Sequence, residues 1–151
     1  MIVEHASPAL IPILHAAATL MMTGLIWFVQ IVHYPLMDRV GDAGFSVYEA
    51  AHTKRTTWVV GPLMLVELAC ALLLVFGPRA IGGPLPLIGL GCLGLIWGST
   101  AFLQVPMHRI LERGFDPRAH ARLVRTNWVR TALWSVRSLL AIVLLTGSPG
   151  A

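Results

Sequence analysis

The sequence predicts an all-α fold, a four-transmembrane-helix bundle, and three observations carry that prediction. The chain of 151 residues is 56% hydrophobic and 12% charged, with a mean hydropathy of +0.75. A water-soluble fold of that composition would leave large apolar patches exposed. Four stretches, about 9–34, 57–77, 85–107 and 128–146, each approach or exceed the roughly 20 residues that a helix needs to cross a bilayer. These stretches are rich in Ala, Leu and Gly and do not alternate as barrel strands do, and in lipid the backbone must satisfy its own hydrogen bonds. The length is that of a single domain, 1–151, so one integral membrane domain is expected.

Each element can be justified in chain order. The first span opens after Pro8 and Pro12 and runs to Tyr34, where Pro35 disfavours helical backbone and predicts an end or a kink. Residues 1–8 contain Glu4 and no Lys or Arg, so the basic start of a cleavable signal is missing and the first span reads as a permanent anchor. Gly41 and Gly44 interrupt the chain, and residues 45–55 read as a short helix with Phe45, Tyr48 and His52 on one face. That helix is expected in the first connection, at the membrane surface or running into the second span. Gly77-Pro78 closes the second span and Gly82-Gly83-Pro84 opens the third, a turn short enough to make the two helices antiparallel neighbours. Pro106 removes a backbone donor near the end of the third span, freeing the carbonyl of Phe102 beside Gln104 and His108. Asp116-Pro117 has the form of a helix start, a capping Asp followed by Pro at the first helical position, and the helix is expected to continue through the fourth span.

The charge distribution points to a membrane and away from nucleic acid. The net charge is +4, and the basic residues concentrate in two connections. Arg39, Lys54 and Arg55 lie in the first, and Arg109, Arg113, Arg118, Arg122 and Arg125 in the third; the short connection between the second and third spans holds Arg79 alone. By the positive-inside rule both long connections face the cytoplasm and both termini face outside, as in a bacterial inner membrane. Cys70 and Cys92 fall inside spans without metal-site spacing and read as buried thiols. Self-association in the bilayer, giving a homo-oligomer, stays open.

One arrangement occurs twice. Phe28, Gln30, His33 and Pro35 close the first span, and Phe102, Gln104, Pro106 and His108 close the third. Arg55-Thr56 opens the second span and Arg130-Thr131 the fourth, with His52 and Asn127 three residues ahead of the respective arginines. An internal duplication and a chance likeness of apolar helices both account for these short words. In either case a polar, histidine-bearing layer is expected at one end of the bundle.

That layer holds the candidate site. His33, His52 and His108 are candidate ligands for a transition metal such as iron, copper or zinc, since imidazole is the commonest protein ligand for them, or candidates for proton transfer; amphipathic interfacial histidines are the alternative. Gln30, Gln104 and Asn127 would orient such groups by hydrogen bonds. Arg55 and Arg130 are candidates to stabilise negative charge on a substrate oxygen, against the alternative of snorkelling to headgroups. His15 is 18 residues from His33, about 27 Å along a helix. It therefore belongs to the other end of the bundle, where it is a candidate cofactor residue, for haem in particular. Glu67 and Arg137 both fall near mid-membrane, where charges face the bundle interior, and are expected to pair; they are candidate catalytic residues, for proton relay or substrate anchoring, against the alternative of a bridge that fixes helix rotation. Tyr34, Tyr48, Trp58 and Trp128 read as an aromatic belt, while Trp27, Trp97 and Trp134 lie deeper and either pack or line a pocket for a flat ligand. His5 and His120 read as ordinary tail and surface residues.

The segment from Thr100 to Arg130, T-x-x-x-Q-V-P-M-H-x-x-L followed by N-W-V-R-T, resembles the C-terminal half of the anthrone-oxygenase-like family of small four-helix membrane proteins. Gly24 to Pro35, with Phe45, Tyr48 and His52 downstream, is similar to its N-terminal half. Two asparagines of the family pattern are replaced here by Gln104 and His108. The resemblance implies a four-helix membrane fold and, for some members, oxygenation of a reduced polycyclic aromatic substrate to a quinone. His15, early in the first span, gives a fainter likeness to small haem-binding membrane oxidoreductases of the protoporphyrinogen-oxidase type. The expected function is thus a membrane-embedded oxidoreductase or oxygenase-like enzyme acting on a lipophilic substrate. The competing class is a non-enzymatic membrane protein: a metal or haem carrier, a transporter subunit or an assembly partner.

Overall fold

A computed structural model describes residues 9–78 and 80–147. His5 and Arg79, both used in the sequence reading, lie outside them. Four long helices account for almost all of the described chain: α1 (Leu10–Arg39), α2 (Asp42–Phe76), α3 (Pro84–Leu111) and α4 (Pro117–Thr146), each long and apolar enough to cross a membrane. The four-helix architecture read from the sequence is therefore present. α1 packs against both α2 and α4, and α3 packs mainly on α4.

The surface has the polarity of a protein solvated by lipid. Phe102 is 79% exposed, Trp58 74%, Phe76 73% and Leu139 67%, and large apolar side chains at that exposure are stable only against an apolar solvent. The interior reverses the pattern, with Glu67, Thr19, Asn127, Glu49 and Thr131 each fully buried. Two apolar clusters separate the polar groups. Met22, Ile26, Met64, Leu93, Ile96 and Trp134 fill the middle of the bundle. Met37, Phe45, Met107, Leu111 and Leu123 fill the end that carries the two longer connections.

The helix boundaries differ from the sequence expectation where local breakers are weaker than continuous packing. α1 does not stop at Tyr34. It widens into a π turn at Val29–His33, in which the amide of Tyr34 reaches the carbonyl of Val29, and then continues to Leu36 and a 3₁₀ turn at Met37–Arg39. A π turn directly before a proline loosens the coil where the ring would otherwise meet the preceding turn. α3 repeats the device: Thr100–Gln104 is a π turn, with the amide of Val105 on the carbonyl of Thr100, just ahead of Pro106. No separate interfacial helix forms in the first connection. Residues 45–55 are the opening turns of α2, because nothing between Phe45 and Trp58 interrupts helix, and Gly44 is itself helical. The break is at Gly41 alone, where a φ of 83° suits glycine. Asp116 caps α4 as expected, accepting from the amides of Arg118 and Ala119 at 2.8 Å.

The repeat has two registers. The word repeat spans 74 residues between Gln30 and Gln104 and 75 between Arg55 and Arg130. The structural repeat, a π turn followed by proline, spans 71, from Pro35 to Pro106. Gln30 sits at the start of its π turn and Gln104 at the end of its own, so the two glutamines leave their helices in different directions. Both are buried and they find different partners.

Candidate functional site

Two buried polar networks lie at opposite ends of the bundle. The first joins all four helices. Arg137 on α4 pairs with Glu67 on α2 at 2.5 Å and also donates to the carbonyl of Gly89 on α3. Its guanidinium stands 3.1 Å from His15 Nε2 on α1. The Thr19 hydroxyl, one turn beyond His15, stands within reach of two acceptors, the carbonyl of His15 and the Glu67 carboxylate, and shares its single proton between them. The expected pairing of Glu67 with Arg137 is thus present. His15 belongs to that pair: its Nε2 also lies 3.6 Å from Glu67.

The second network contains a residue that sequence reasoning passed over. Glu49 on α2 is completely buried and accepts a hydrogen bond from His108 Nδ1 on α3 at 2.5 Å. With Glu49 as the acceptor, His108 carries its proton on Nδ1 and turns Nε2 to the Tyr34 hydroxyl at 3.0 Å. Three helices therefore contribute to one chain, Glu49–His108–Tyr34. The signal was available in the sequence: Glu49-Ala50-Ala51-His52 is a Glu-x-x-His spacing, which places both side chains on one helical face.

A second ladder holds this chain in place. Asn127 donates to Gln30 Oε1 at 2.8 Å and accepts from Arg130 at 3.2 Å, while Gln30 donates to the carbonyl of Val124. Gln104 accepts from Ser99 at 3.0 Å and donates to Thr126 at 3.2 Å. None of these bonds reaches His33, His52 or His108, the groups that Gln30, Gln104 and Asn127 were expected to orient; Asn127 instead holds Arg130, which stands beside the Tyr34 phenol. His120, expected to be an ordinary surface residue, donates from Nε2 to the backbone carbonyl of Tyr34 at 2.7 Å.

A cavity of about 420 Å³ opens beside this network, within the size range of small-molecule sites. Its inner wall is apolar, with Met22, Ile26 and Met64; Trp97 stands at its side, and Tyr34, His52, Gln104, His108 and Arg130 form its polar end. Of the three deep tryptophans only Trp97 meets the cavity. Trp134 is core, and Trp27 lies edge-on against Trp128 and bonds Ser135.

The other expectations are redistributed by helix rotation. Arg55 is exposed and takes no part in the cavity, whereas its counterpart Arg130 is buried within it. Tyr34 is 3% exposed and is not a belt residue. The three histidines do converge: His33 and His52 stack at 4.2 Å between ring centroids, and His52 lies 5.6 Å from His108. Stacked imidazoles present faces to one another, however, and do not aim their lone pairs at a common point. Among the described residues no group of three or more His, Cys, Asp or Glu is placed to hold a metal ion, so the histidines do not fit the ligand role read from the sequence. His52 instead bonds Thr56 through Nδ1 at 3.1 Å. His33 Nε2 and Glu49 Oε2 are buried without a hydrogen-bond partner.

Comparison of the chain with known protein families, with curated proteins and with solved structures gives no match.

Proposed function

We propose that this chain is a membrane-embedded oxidoreductase of oxygenase type, which removes a proton from a lipophilic substrate held in the cavity and so prepares it for oxidation. The observation that supports this reading is the buried chain Glu49–His108–Tyr34, which ends on the wall of a mostly apolar cavity. A histidine whose far nitrogen is held by a carboxylate is a positioned base. The substrate class suggested by the family resemblance, a reduced polycyclic aromatic ketone or phenol, carries an acidic hydrogen and is flat and apolar enough for these walls.

In this mechanism the substrate oxygen lies toward Arg130. His108 Nε2 takes the proton from the substrate carbon, directly or through the Tyr34 hydroxyl, and Glu49 stabilises the imidazolium that results. The electron pair left behind moves onto the substrate oxygen, where Arg130 compensates the charge. Water-poor walls strengthen each of these interactions. The electron-rich anion is then the species that dioxygen oxidises. Overall, CH₂ becomes C=O, with one O₂ consumed and one H₂O released. In this reading the basic connections, and with them this end of the bundle, face the cytoplasm and both termini lie outside, which the positive-inside rule supports.

Proton removal can be tested apart from oxidation. Protein in lipid vesicles is incubated without oxygen in D₂O with an anthrone, and deuterium entering the substrate methylene is followed by mass spectrometry. The expected result is exchange well above vesicles alone, reduced about 10²–10⁴-fold in Glu49→Gln and His108→Gln. Exchange equal to that of empty vesicles refutes the reading.

A further inference from the structure

The walls of the cavity are unequally buried, and this asymmetry assigns an entrance. The back wall comes from α1 and the inner face of α2, where Met22 is 1% exposed, Ile26 3% and Met64 5%. The front is different. Arg109 and Glu112 reach the surface at the end nearer the connections, and farther into the bundle the lining residues Thr57 on α2 and Trp97 on α3 both reach it, Trp97 with 38% exposure. A residue that lines a cavity and also faces outward marks where the cavity meets its surroundings. The surface between Thr57 and Trp97 is the lipid-facing gap between α2 and α3, the side of the bundle where the two helices approach each other least.

Two further features give the gap a shape. Gly61 lies on its α2 edge, and a Cβ built there meets nothing within 4 Å. No neighbouring side chain fills the space that this glycine leaves. At the end nearer the connections the same gap is bridged, since Thr53 donates to Glu112 Oε1 across α2 and α3 at 3.0 Å. The polar end of the cleft thus carries a hydrogen bond across it, while the stretch beside Gly61 is apolar and unfilled.

We propose that the gap beside Gly61 is a lateral portal through which a flat, uncharged, membrane-dissolved molecule enters the cavity from the bilayer, with Thr53–Glu112 closing the aqueous route. This rests on the reading of the cavity as a site for a lipophilic substrate. A bilayer route matches the apolar walls, because such a molecule is concentrated in lipid and would be stripped of no hydration shell on entry. The lipid-facing position of Trp97 supplies an optical reporter at the doorway.

The portal is tested with pyrene dissolved in phosphatidylcholine vesicles that contain the protein. Energy transfer from tryptophan to pyrene is followed after mixing, and Trp97→Phe identifies the part due to Trp97. The parent protein should show a saturable component. Gly61→Leu should slow its rate about tenfold or more while final occupancy stays close to the parent's. Gly91→Leu, a lipid-facing glycine on α3 with equally open space, should leave the rate unchanged. Thr53→Val should also leave it unchanged. Thr57→Leu provides a second obstruction should Gly61→Leu fold poorly, since the Thr57 hydroxyl bonds only within its own helix.

A rate that is insensitive to both obstructions, or that rises when the Thr53 hydrogen bond is removed, overturns the portal and leaves the cavity reading standing. Loss of occupancy without a change in rate places Gly61 in the cavity floor, and overturns the portal too. Absence of any saturable component in the parent protein overturns the cavity reading and the portal together.

Discussion

Removing Glu67 or Arg137 singly should destabilise the bundle far more than removing both. The two side chains are 0% and 1% exposed and meet at 2.5 Å. Glu67→Leu leaves a guanidinium in the bundle interior with only the Gly89 carbonyl and His15 as partners, and Arg137→Met leaves a carboxylate with only Thr19 and His15. Breaking a buried pair in this way costs about 3–5 kcal/mol. The double substitution removes both charges. What it strands is the second lone pair of the Gly89 carbonyl and His15 Nε2, at about 1 kcal/mol each, while the Thr19 hydroxyl keeps its bond to the carbonyl of His15. The double variant is therefore expected to lose about 2 kcal/mol, less than either single. The assay is reversible unfolding in mixed micelles as the fraction of denaturing detergent rises, with helicity as the probe. A double variant whose loss equals the sum of the singles would show that the two charges act independently and refute the pairing argument.

Two other predictions follow from the networks. Asn127→Ala removes the donor to Gln30 and the acceptor for Arg130, both buried, and should cost about 2–4 kcal/mol in the same unfolding assay; Asn127→Asp keeps only the acceptor and should fall between. Asp116→Ala removes the cap of α4 at a distance from both networks. It should cost about 1 kcal/mol and leave the rate of pyrene entry at the parent value, so a changed rate would mean that the connection ahead of α4 takes part in closing the cavity.

Much of this protein was legible in the sequence because membrane crossing is a local property. Whether a helix is long and apolar enough to span a bilayer depends on its own residues, and backbone satisfaction in lipid leaves a helix few alternatives. The Asp116 cap, the break at Gly41 and the pairing of Glu67 with Arg137 were readable for related reasons: a cap acts within one turn, and a charge in a low-dielectric interior has few places to go but to an opposite charge.

What only the tertiary structure decided is which face of each helix meets the others. Arg55 and Arg130 occupy equivalent places in the sequence repeat, yet one is exposed and the other forms part of the cavity. The π turns before Pro35 and Pro106 act within α1 and α3, where they set Gln30 and Gln104 out of step with the repeated words; Arg55 and Arg130 stand on α2 and α4, and the packing of those helices decides their exposure. Glu49 shows the same limit. In sequence it is one acidic residue in a polar connection; in the bundle, because α2 begins at Asp42 and runs on unbroken, it is carried into the interior opposite His108. Spacing along its own helix puts His15 at the end of the bundle away from His33, and position within their spans puts Glu67 and Arg137 near mid-membrane, but only the packing of the helices brings the three into contact. The chain alone determined that there are four apolar helices with polar groups inside them. The rotation of those helices about their axes, a property of all four packed together, decided which polar groups meet.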